Sequence, residues 1–381
     1  MNNFEYYNPT KVLFGKGSIA QLNKNISIDK KVLLVFGGGS AKNNGVYDQV
    51  IEALKGYSVV EFWGVESNPK VATLREAIEL GKTASVDYIV AVGGGSVLDG
   101  TKLIAVGIQS EHDAWEIVRN PELVVEGLPY ASVMTMPATG SEMNKGAVIS
   151  NQDTNEKFAF YSKYPQFSIL DPEVTYTIPP YQVACGIADT FVHVLEQYLT
   201  TPYQNLLMDR WAEGILQTLV EIAPLTVENP DDYEVMGHYM LCASLALNGM
   251  ISMGVTQDWA THMIGHELTA IHGITHAESL TVVMPAMMTV LSQQKREKLI
   301  QYGERVWGIT GDDLDLCVVN TIAQTETFFK NLGLKTRLSE LEIGEPTIAE
   351  IQKRFNERKF QLGEGQNVTG DIARVVLEEC L

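Results

Sequence analysis

The chain has few cysteines, few basic residues and no long apolar run. Its four cysteines are widely separated and form no CxxC pair: Cys185, Cys242, Cys317 and Cys380. This spacing argues against disulfides or a cysteine metal site and favours reduced thiols in a cytoplasmic protein. Lys and Arg total 28 against 47 Asp and Glu, a net charge of −19, which argues against nucleic-acid binding. We expect neither a secretory signal nor a membrane span, since no stretch approaches roughly 18 apolar residues.

The first half of the chain alternates strand-like and helix-like segments. Apolar, β-branched runs at 31–36, 88–92 and 132–136 each end in a turn that contains glycine or proline, and helical patterns such as 71–84 lie between them. Continuous apolar strands separated by helices predict a parallel sheet that is covered on both faces. We therefore predict a Rossmann-like, doubly wound α/β nucleotide-binding domain over residues 1–180.

The pattern changes at Pro179-Pro180, because consecutive prolines suit neither a helix interior nor a central strand. Beyond this point long helical patterns dominate, as at 183–199, 205–222 and 233–250, and strand-like runs become scarce. The second half, residues 181–381, is therefore predicted to be an all-helical domain.

Two glycine-rich turns follow predicted strands, Gly37-Gly38-Gly39-Ser40 and Gly93-Gly94-Gly95-Ser96. Glycine lets the backbone approach a ligand closely, and a helix that begins at such a turn presents N–H groups and a positive dipole end to phosphate. Neither turn is a GxGxxG or Walker A motif, and a tight turn needs glycine for structural reasons as well. Two such turns, each after a buried strand, favour a bound dinucleotide with phosphate at 93–96.

The first turn also bears on the choice of nucleotide. NAD-specific sites usually place an acidic side chain on the ribose 2′-hydroxyl. Here Ser40 and Lys42 follow the strand, and no acidic residue occurs before Asp48. A hydroxyl and an ammonium group suit a 2′-phosphate, which predicts NADP(H); the alternative is that Lys42 is a solvated surface lysine.

Four of the seven histidines lie in T-H-M-I-G-H-E-L-T-A-I-H-G-I-T-H, at positions 262, 266, 272 and 276. His262 and His266 share one helix face, but an unbroken helix would place His276 about 21 Å along the axis from His262. The segment His272-Gly273-Ile274-Thr275 is a natural helix stop. A turn there would bring His276 back beside His262.

A second pair, Asp189 and His193, lies in the apolar sequence I-A-D-T-F-V-H-V-L. The i, i+4 spacing aims both side chains in one direction, and a buried Asp without a partner is costly. One Asp and three His make a four-ligand site for a divalent first-row metal. The spacing does not choose between His262 and His266, and each residue alone also suits a satisfied place in the core.

Together these motifs resemble the iron-containing alcohol dehydrogenase family, and in particular its branch of NADPH-dependent bacterial aldehyde reductases and butanol dehydrogenases. The likeness runs essentially from end to end. It is carried by N-P-T-K-V-L-F-G-K-G, the first G-G-G-S, G-G-G-S-V-L-D-G-T-K, P-A-T-G-S-E, L-D-P, the proline pair, D-T-F-V-H, Q-D-W-A-T-H-M-I-G-H-E-L and H-G-I-T-H-A.

The resemblance implies a dehydroquinate synthase-like fold, a homodimer, one iron or zinc ion, and hydride transfer between NADP(H) and short-chain aldehydes or primary alcohols. It implies the metal ligands Asp189, His193, His262 and His276. His266 is then expected to line the substrate and nicotinamide site, as the nearest candidate for proton transfer to the product alkoxide. The implied cofactor contacts are Gly38, Gly39, Ser40, Gly94, Gly95, Ser96, Asp99 and Thr139, with Asn68, Pro69 and Lys157 nearby.

Two alternatives belong to other functional classes. Dehydroquinate synthase-like or glycerol-phosphate dehydrogenase chemistry needs several basic residues for a phosphorylated substrate, whereas the helical half has Arg210 and few others near the metal motifs. A non-catalytic redox sensor would bind nucleotide and metal without turnover. Such a sensor need not keep all four ligands.

Overall fold

A computed structural model describes residues 1–381. The chain divides into two compact units. The sheet unit comprises Tyr7–Ile178 and Asn229–Ser244, and the helical unit comprises Met1–Tyr6, Pro179–Glu228 and Leu245–Leu381. One break therefore falls beside the proline pair. The division into domains at 1–180 and 181–381 stays a prediction.

The sheet unit contains eight strands: β1 Lys11–Phe14, β2 Lys31–Phe36, β3 Ser58–Phe62, β4 Tyr88–Gly94, β5 Tyr130–Met136, β6 Gly146–Asn151, β7 Glu156–Tyr161 and β8 Phe167–Leu170. Six of them form a parallel sheet in the order β1-β8-β5-β4-β2-β3, while β6 and β7 form an antiparallel pair. The first six helices of the sheet unit are α1 Leu22–Asn25, α2 Ser40–Asn43, α3 Val46–Ala53, α4 Val71–Ala84, α5 Gly95–Gln109 and α6 Ala114–Arg119. The predicted parallel sheet is confirmed.

Strand β2 shows why its sequence is continuously apolar. Leu33 and Val35 pack into the core on one face of the sheet, and Val32, Leu34 and Phe36 pack into the core on the other. Successive side chains of a strand point to opposite faces, so a sheet covered on both sides needs apolar residues at every position.

The order of the strands places a topological switch point between β2 and β4. From β2 the chain moves to β3 on one side, and the later strands β4, β5 and β8 follow on the other side. In open α/β sheets, ligands bind beyond the carboxyl ends of the strands at such a point. Both glycine-rich segments lie there, because the first follows β2 and the second spans the end of β4 and the start of α5.

The remaining helices are α7 Pro180–Tyr198, α8 Leu206–Glu228, α9 Tyr233–Ala246, α10 Ala260–His272, α11 His276–Val290, α12 Arg296–Tyr302, α13 Leu314–Asn331, α14 Glu345–Glu357 and α15 Gly370–Glu379. Most of α9 belongs to the sheet unit. Helix α7 begins at Pro180, where the missing proline N–H would have no intrahelical partner in any case. None of these helices combines the length and the apolar character needed to cross a bilayer.

Candidate metal centre and nucleotide-binding turns

Helix α7 carries three polar side chains on one face. Asp189, His193 and Glu196 are spaced i, i+4 and i+7, which brings them to the same side of the helix. All three are at most 5% exposed. Buried carboxylate and imidazole groups need partners, and the helices α10 and α11 supply them.

The predicted helix stop between the histidines is confirmed. Helix α10 ends at His272, Gly273 adopts a left-handed conformation with φ 67°, and α11 begins at His276. Glycine has no Cβ and adopts this conformation without strain. The turn brings the ring centres of His262 and His276 to 5.4 Å from each other.

Three imidazole nitrogens surround one oxygen of Asp189. The Nε2 atoms of His193, His262 and His276 lie 3.6, 3.7 and 3.9 Å from Asp189 Oδ1. The donor atoms of Asp189, His262 and His276 all lie within 4.8 Å of one another. Ligands at about 2.1 Å from a tetrahedral metal are separated by roughly 3.4 Å, so these spacings suit one first-row cation.

The His262 ring is oriented as in a metal-binding histidine. Its Nδ1 is hydrogen-bonded to a carboxylate oxygen of Glu196, and its Nε2 is buried without a hydrogen-bond partner. A carboxylate on Nδ1 fixes the ring and leaves the lone pair of Nε2 available to a metal. Because a buried nitrogen without a partner is costly, the residues present fit a divalent cation.

Burial alone would lower the pKa of His262, but the carboxylates of Glu196 and Asp189 raise the pKa to about 9. This direction reflects a concentration of negative charge that attracts a proton or a metal cation. Glu196 was not identified from the sequence, although its i+7 spacing from Asp189 was the signal that could have found it. Its second oxygen accepts a hydrogen bond from the backbone N–H of Thr261, at 2.7 Å.

His266 and His272 occupy different surroundings. The His266 ring is buried, 6.2 Å from the His262 ring and 5.3 Å from the His276 ring. His272 Nε2 lies 2.8 Å from Thr347 Oγ1. The geometry thus puts His266 beside the donor cluster and gives His272 a structural contact.

Glu267, the neighbour of His266, has a structural role that the sequence did not indicate. Its carboxylate lies 3.1 Å from Arg354 Nη1 and also pairs with Arg358, and both arginines belong to the segment around α14. These ion pairs are largely buried. They attach the histidine-bearing helix α10 to its neighbour.

The second glycine-rich turn requires glycine for a steric reason. A Cβ on Gly95 would lie 2.5 Å from Thr139 Oγ1 and 2.6 Å from Thr139 Cγ2, both closer than nonbonded atoms can approach. Gly95 is also the first residue of the 15-residue helix α5. The structure therefore brings Thr139 against Gly95, the residue between Gly94 and Ser96, where the sequence analysis expects the phosphates.

Asp99, in the first turns of α5, belongs to a hydrogen-bond network with Ser141 and Lys102. Its carboxylate accepts hydrogen bonds from Ser141 Oγ at 2.6 Å and from the backbone N–H of Val148 at 2.9 Å. Lys102 in turn donates to Ser141 Oγ at 2.7 Å and to Asn144 Oδ1 at 2.9 Å. Contact between Asp99 and a cofactor stays a prediction.

Three further predicted cofactor residues lie together. Lys157 Nζ donates to Asn68 Oδ1 at 2.8 Å, and the backbone N–H of Ser150 donates to Pro69 O at 2.9 Å. The β6–β7 pair is thereby joined to the loop before α4.

At the first turn, Gly39 has φ 111°, which glycine tolerates, and Gly38 and Ser40 are exposed. Lys42 is exposed, and its Nζ lies 4.2 Å from the centre of the Trp63 ring and 5.5 Å from that of Tyr47. This lysine therefore has a defined position beside the turn.

Comparison with known proteins gives a consistent result over the whole chain. The family model "Iron-containing alcohol dehydrogenase" matches residues 9–172, and "Fe-containing alcohol dehydrogenase family, C-terminal" matches residues 183–371. The chain is 47% identical to the NADPH-dependent aldehyde reductase YqhD of Escherichia coli K12, over 99% of each protein. It is 40% identical to probable NADH-dependent butanol dehydrogenase 1 of Bacillus subtilis, over 92% of each.

Solved structures agree with these matches. A crystal structure of E. coli YqhD covers 100% of this chain and 99% of its own, with a TM-score of 0.98. The NADH-dependent butanol dehydrogenase A of Thermotoga maritima, at 33% identity, covers 100% of this chain and 99% of its own with a TM-score of 0.94.

Proposed function

The chain belongs to the iron-containing alcohol dehydrogenase family, and we propose that it reduces short-chain aldehydes to primary alcohols with NADPH and one divalent metal ion. The family implies a nicotinamide cofactor and a divalent metal. The preference for NADP(H), the identity of the metal as iron or zinc, and the residues that bind each group belong to the proposal. So do the homodimer and the cytoplasmic location.

The observation that carries the proposal is the donor set around Asp189. We assign Asp189, His193, His262 and His276 as the metal ligands. The support is the spacing of the three Nε2 atoms around Asp189 Oδ1 and the buried Nε2 of His262 that has no hydrogen-bond partner.

When bound, the metal would supply Lewis acidity to the carbonyl oxygen and the reduced nicotinamide would supply the hydride. Among the protein's own groups, Glu196 holds the ring of His262, and Asp189, His193 and His262 are buried. His266 is proposed to deliver the proton to the alkoxide oxygen, directly or through a water molecule, because its ring lies beside those of His262 and His276.

The cofactor preference is proposed from the first turn. The relatives differ here, since the name of YqhD gives NADPH and that of butanol dehydrogenase 1 of Bacillus subtilis gives NADH. Lys42 rests on Trp63, and the Trp63 ring stacks on Phe36 with centres 4.0 Å apart. Glu61 accepts hydrogen bonds from Tyr47 Oη at 2.9 Å and Trp63 Nε1 at 2.8 Å. A lysine held in this way beside Ser40 suits a 2′-phosphate.

We predict that Lys42→Ala raises the KM for NADPH by about tenfold, which is the loss of one charge-assisted hydrogen bond. The KM for NADH should change by less than about twofold, because NADH lacks the 2′-phosphate. Lys55→Ala, at an exposed lysine that pairs with Glu52, is the control. Equal losses for both nucleotides would contradict the assignment of Lys42.

The function itself is tested by initial rates with butanal. NADPH and NADH are compared before and after chelation, and after addition of Fe²⁺ or Zn²⁺. We expect rapid NADPH oxidation that is lost on chelation and restored by metal. Fast turnover with NADH alone would keep the enzyme class and refute the cofactor preference, and a metal-free protein with a normal rate would refute the metal's role.

The alternatives are not favoured. The two family models and the 47% identity to an aldehyde reductase support the oxidoreductase class over dehydroquinate synthase-like or glycerol-phosphate dehydrogenase chemistry. Arg354 and Arg358 are already paired with Glu267, which does not suit a phosphate site. A non-catalytic sensor would bind nucleotide and metal but would not oxidise NADPH with any short aldehyde.

A further inference from the structure

A buried lysine of the helical unit connects the segments that carry the candidate metal ligands. Lys295 is 4% exposed, and its Nζ donates to the backbone carbonyl of Leu199 at 2.7 Å and to Asp258 Oδ2 at 2.7 Å. The same Nζ lies 2.9 and 2.8 Å from the two oxygens of Glu364. One ammonium group thus contacts the acceptor groups of three residues from three separate parts of the chain.

Two of these acceptors lie next to the metal-binding helices. Leu199 follows the last residue of α7, the helix of Asp189 and His193, and Asp258 lies just before α10, the helix of His262. The backbone N–H of Asp258 donates to the carbonyl of Glu196 at 2.9 Å. The two helices are therefore joined at one point.

The segment held by Asp258 is conformationally strained. Trp259 has φ 68°, a left-handed conformation that is a genuine outlier for a bulky residue. Its ring lies 5.4 Å from the His262 ring and 6.2 Å from the His193 ring. Asp258 Oδ1 also accepts a hydrogen bond from the backbone N–H of Ala260 at 2.8 Å. Strain of this kind persists only where neighbouring contacts hold the backbone.

We propose that Lys295 is a positioning residue of the metal centre: together with Asp258 and Glu364 it holds the start of α10, with Trp259 against the ligand rings, in register with the end of α7. The inference rests on the proposed function for the identity of the ligands. It assigns a role to a residue more than thirty positions away in sequence from His262. The two carboxylates outweigh burial and raise the pKa of Lys295, so the ammonium form is retained.

The chain offers a matched control in Lys298. This lysine is 1% exposed and is paired with Asp209 at 2.8 Å, so its replacement also breaks a buried ion pair. Its ion pair is with α8 and not with the segment before α10, and its Nζ lies 4.0 Å from the centre of the Tyr198 ring at the end of α7. A general loss of stability should therefore affect the two lysine variants alike, whereas a loss of ligand positioning should affect only Lys295.

The experiment compares the wild type, Lys295→Met and Lys298→Met as full-length proteins. Zn²⁺ affinity is measured by competition with a chelator of known affinity, without aldehyde or nucleotide, and urea unfolding is followed in parallel. We expect Lys295→Met to weaken Zn²⁺ binding at least tenfold, in the range found for groups that orient metal ligands. Lys298→Met should stay within twofold of the wild type, although its urea midpoint also falls.

An affinity of Lys295→Met within twofold of the wild type, or an equal loss in both variants, overturns the inference. If Lys295→Met does not fold, Glu364→Gln is compared with Glu213→Gln; Glu213 is a buried acid joined through the side-chain amide of Gln301 to Asp209, the partner of Lys298. Loss of Zn²⁺ affinity in Glu364→Gln alone supports the inference, and loss in both or in neither overturns it. A wild type that binds no Zn²⁺ would refute the proposed metal centre itself, which separates the two failures.

Discussion

Replacement of His262 with alanine is expected to remove metal binding and to lower aldehyde reduction by at least about 10³-fold. A Lewis acid contributes several kcal/mol to the stabilisation of developing charge, and each 1.36 kcal/mol corresponds to a factor of ten in rate. His262 is the residue whose Nε2 lies 3.7 Å from Asp189 Oδ1 and whose ring is fixed by Glu196. The measurements are metal content after dialysis and NADPH oxidation with butanal.

His272→Ala is the control, since His272 belongs to the same helix and contacts Thr347 instead. Its metal content and its KM for NADPH should match those of the wild type. Glu196→Gln should lie between His262→Ala and His272→Ala in metal affinity, with a reduction of about 10- to 100-fold. The substitution weakens the hydrogen bond that orients the His262 ring without removing a ligand. A His262→Ala protein with full metal content and a normal rate would refute the assignment of His262 as a metal ligand.

Replacement of Lys102 with methionine is expected to lower the free energy of unfolding by about 3 kcal/mol, the lower end of the range for breaking a buried charged network. Lys102 is fully buried, and its Nζ donates to Ser141 Oγ, Asn144 Oδ1 and Gly146 O at 2.7, 2.9 and 2.6 Å. Methionine would leave these three acceptors without their donor and would remove the positive charge that lies 4.0 Å from Asp99 Oδ1. Lys82→Met, which removes one hydrogen bond to Ser110 O, should cost no more than about 1 kcal/mol.

The effect of Lys102 should also depend on pH. Burial lowers the pKa of Lys102 from 10.5 to about 8, so between these values the unfolded chain binds more protons than the folded chain. The contribution of Lys102 to the free energy of unfolding therefore rises with pH across that window, by an amount on the order of 3 kcal/mol. Below pH 8 the folded chain carries the full cost of a buried ammonium group. Urea unfolding of the wild type and Lys102→Met at pH 7.5 and 10 checks this. If the difference in the free energy of unfolding between the wild type and Lys102→Met does not grow with pH, Lys102 is not a buried ammonium group.

Local patterns in the sequence predicted several elements closely. Strand β2 and helix α4 have the predicted bounds of 31–36 and 71–84, and α10 ends at the predicted stop beside Gly273. Each of these features depends on residues that are near one another in the chain. Asp99 shows the limit of such patterns, since its motif indicated a cofactor contact while the fold also places it against Ser141 and Val148.

The sequence by itself determined the alternation of strands and helices in the first half, the helical character of the second half, the two glycine-rich segments, and the family, because periodicity, backbone conformation and motif order are local properties. Only the tertiary structure decided that His262 lies against both Asp189 and Glu196, and that Lys295 joins the ends of two helices. It also decided that Asn229–Ser244 packs with the sheet unit. These arrangements depend on how distant segments pack, and the free energy of burying a charge depends on every neighbour that the fold supplies.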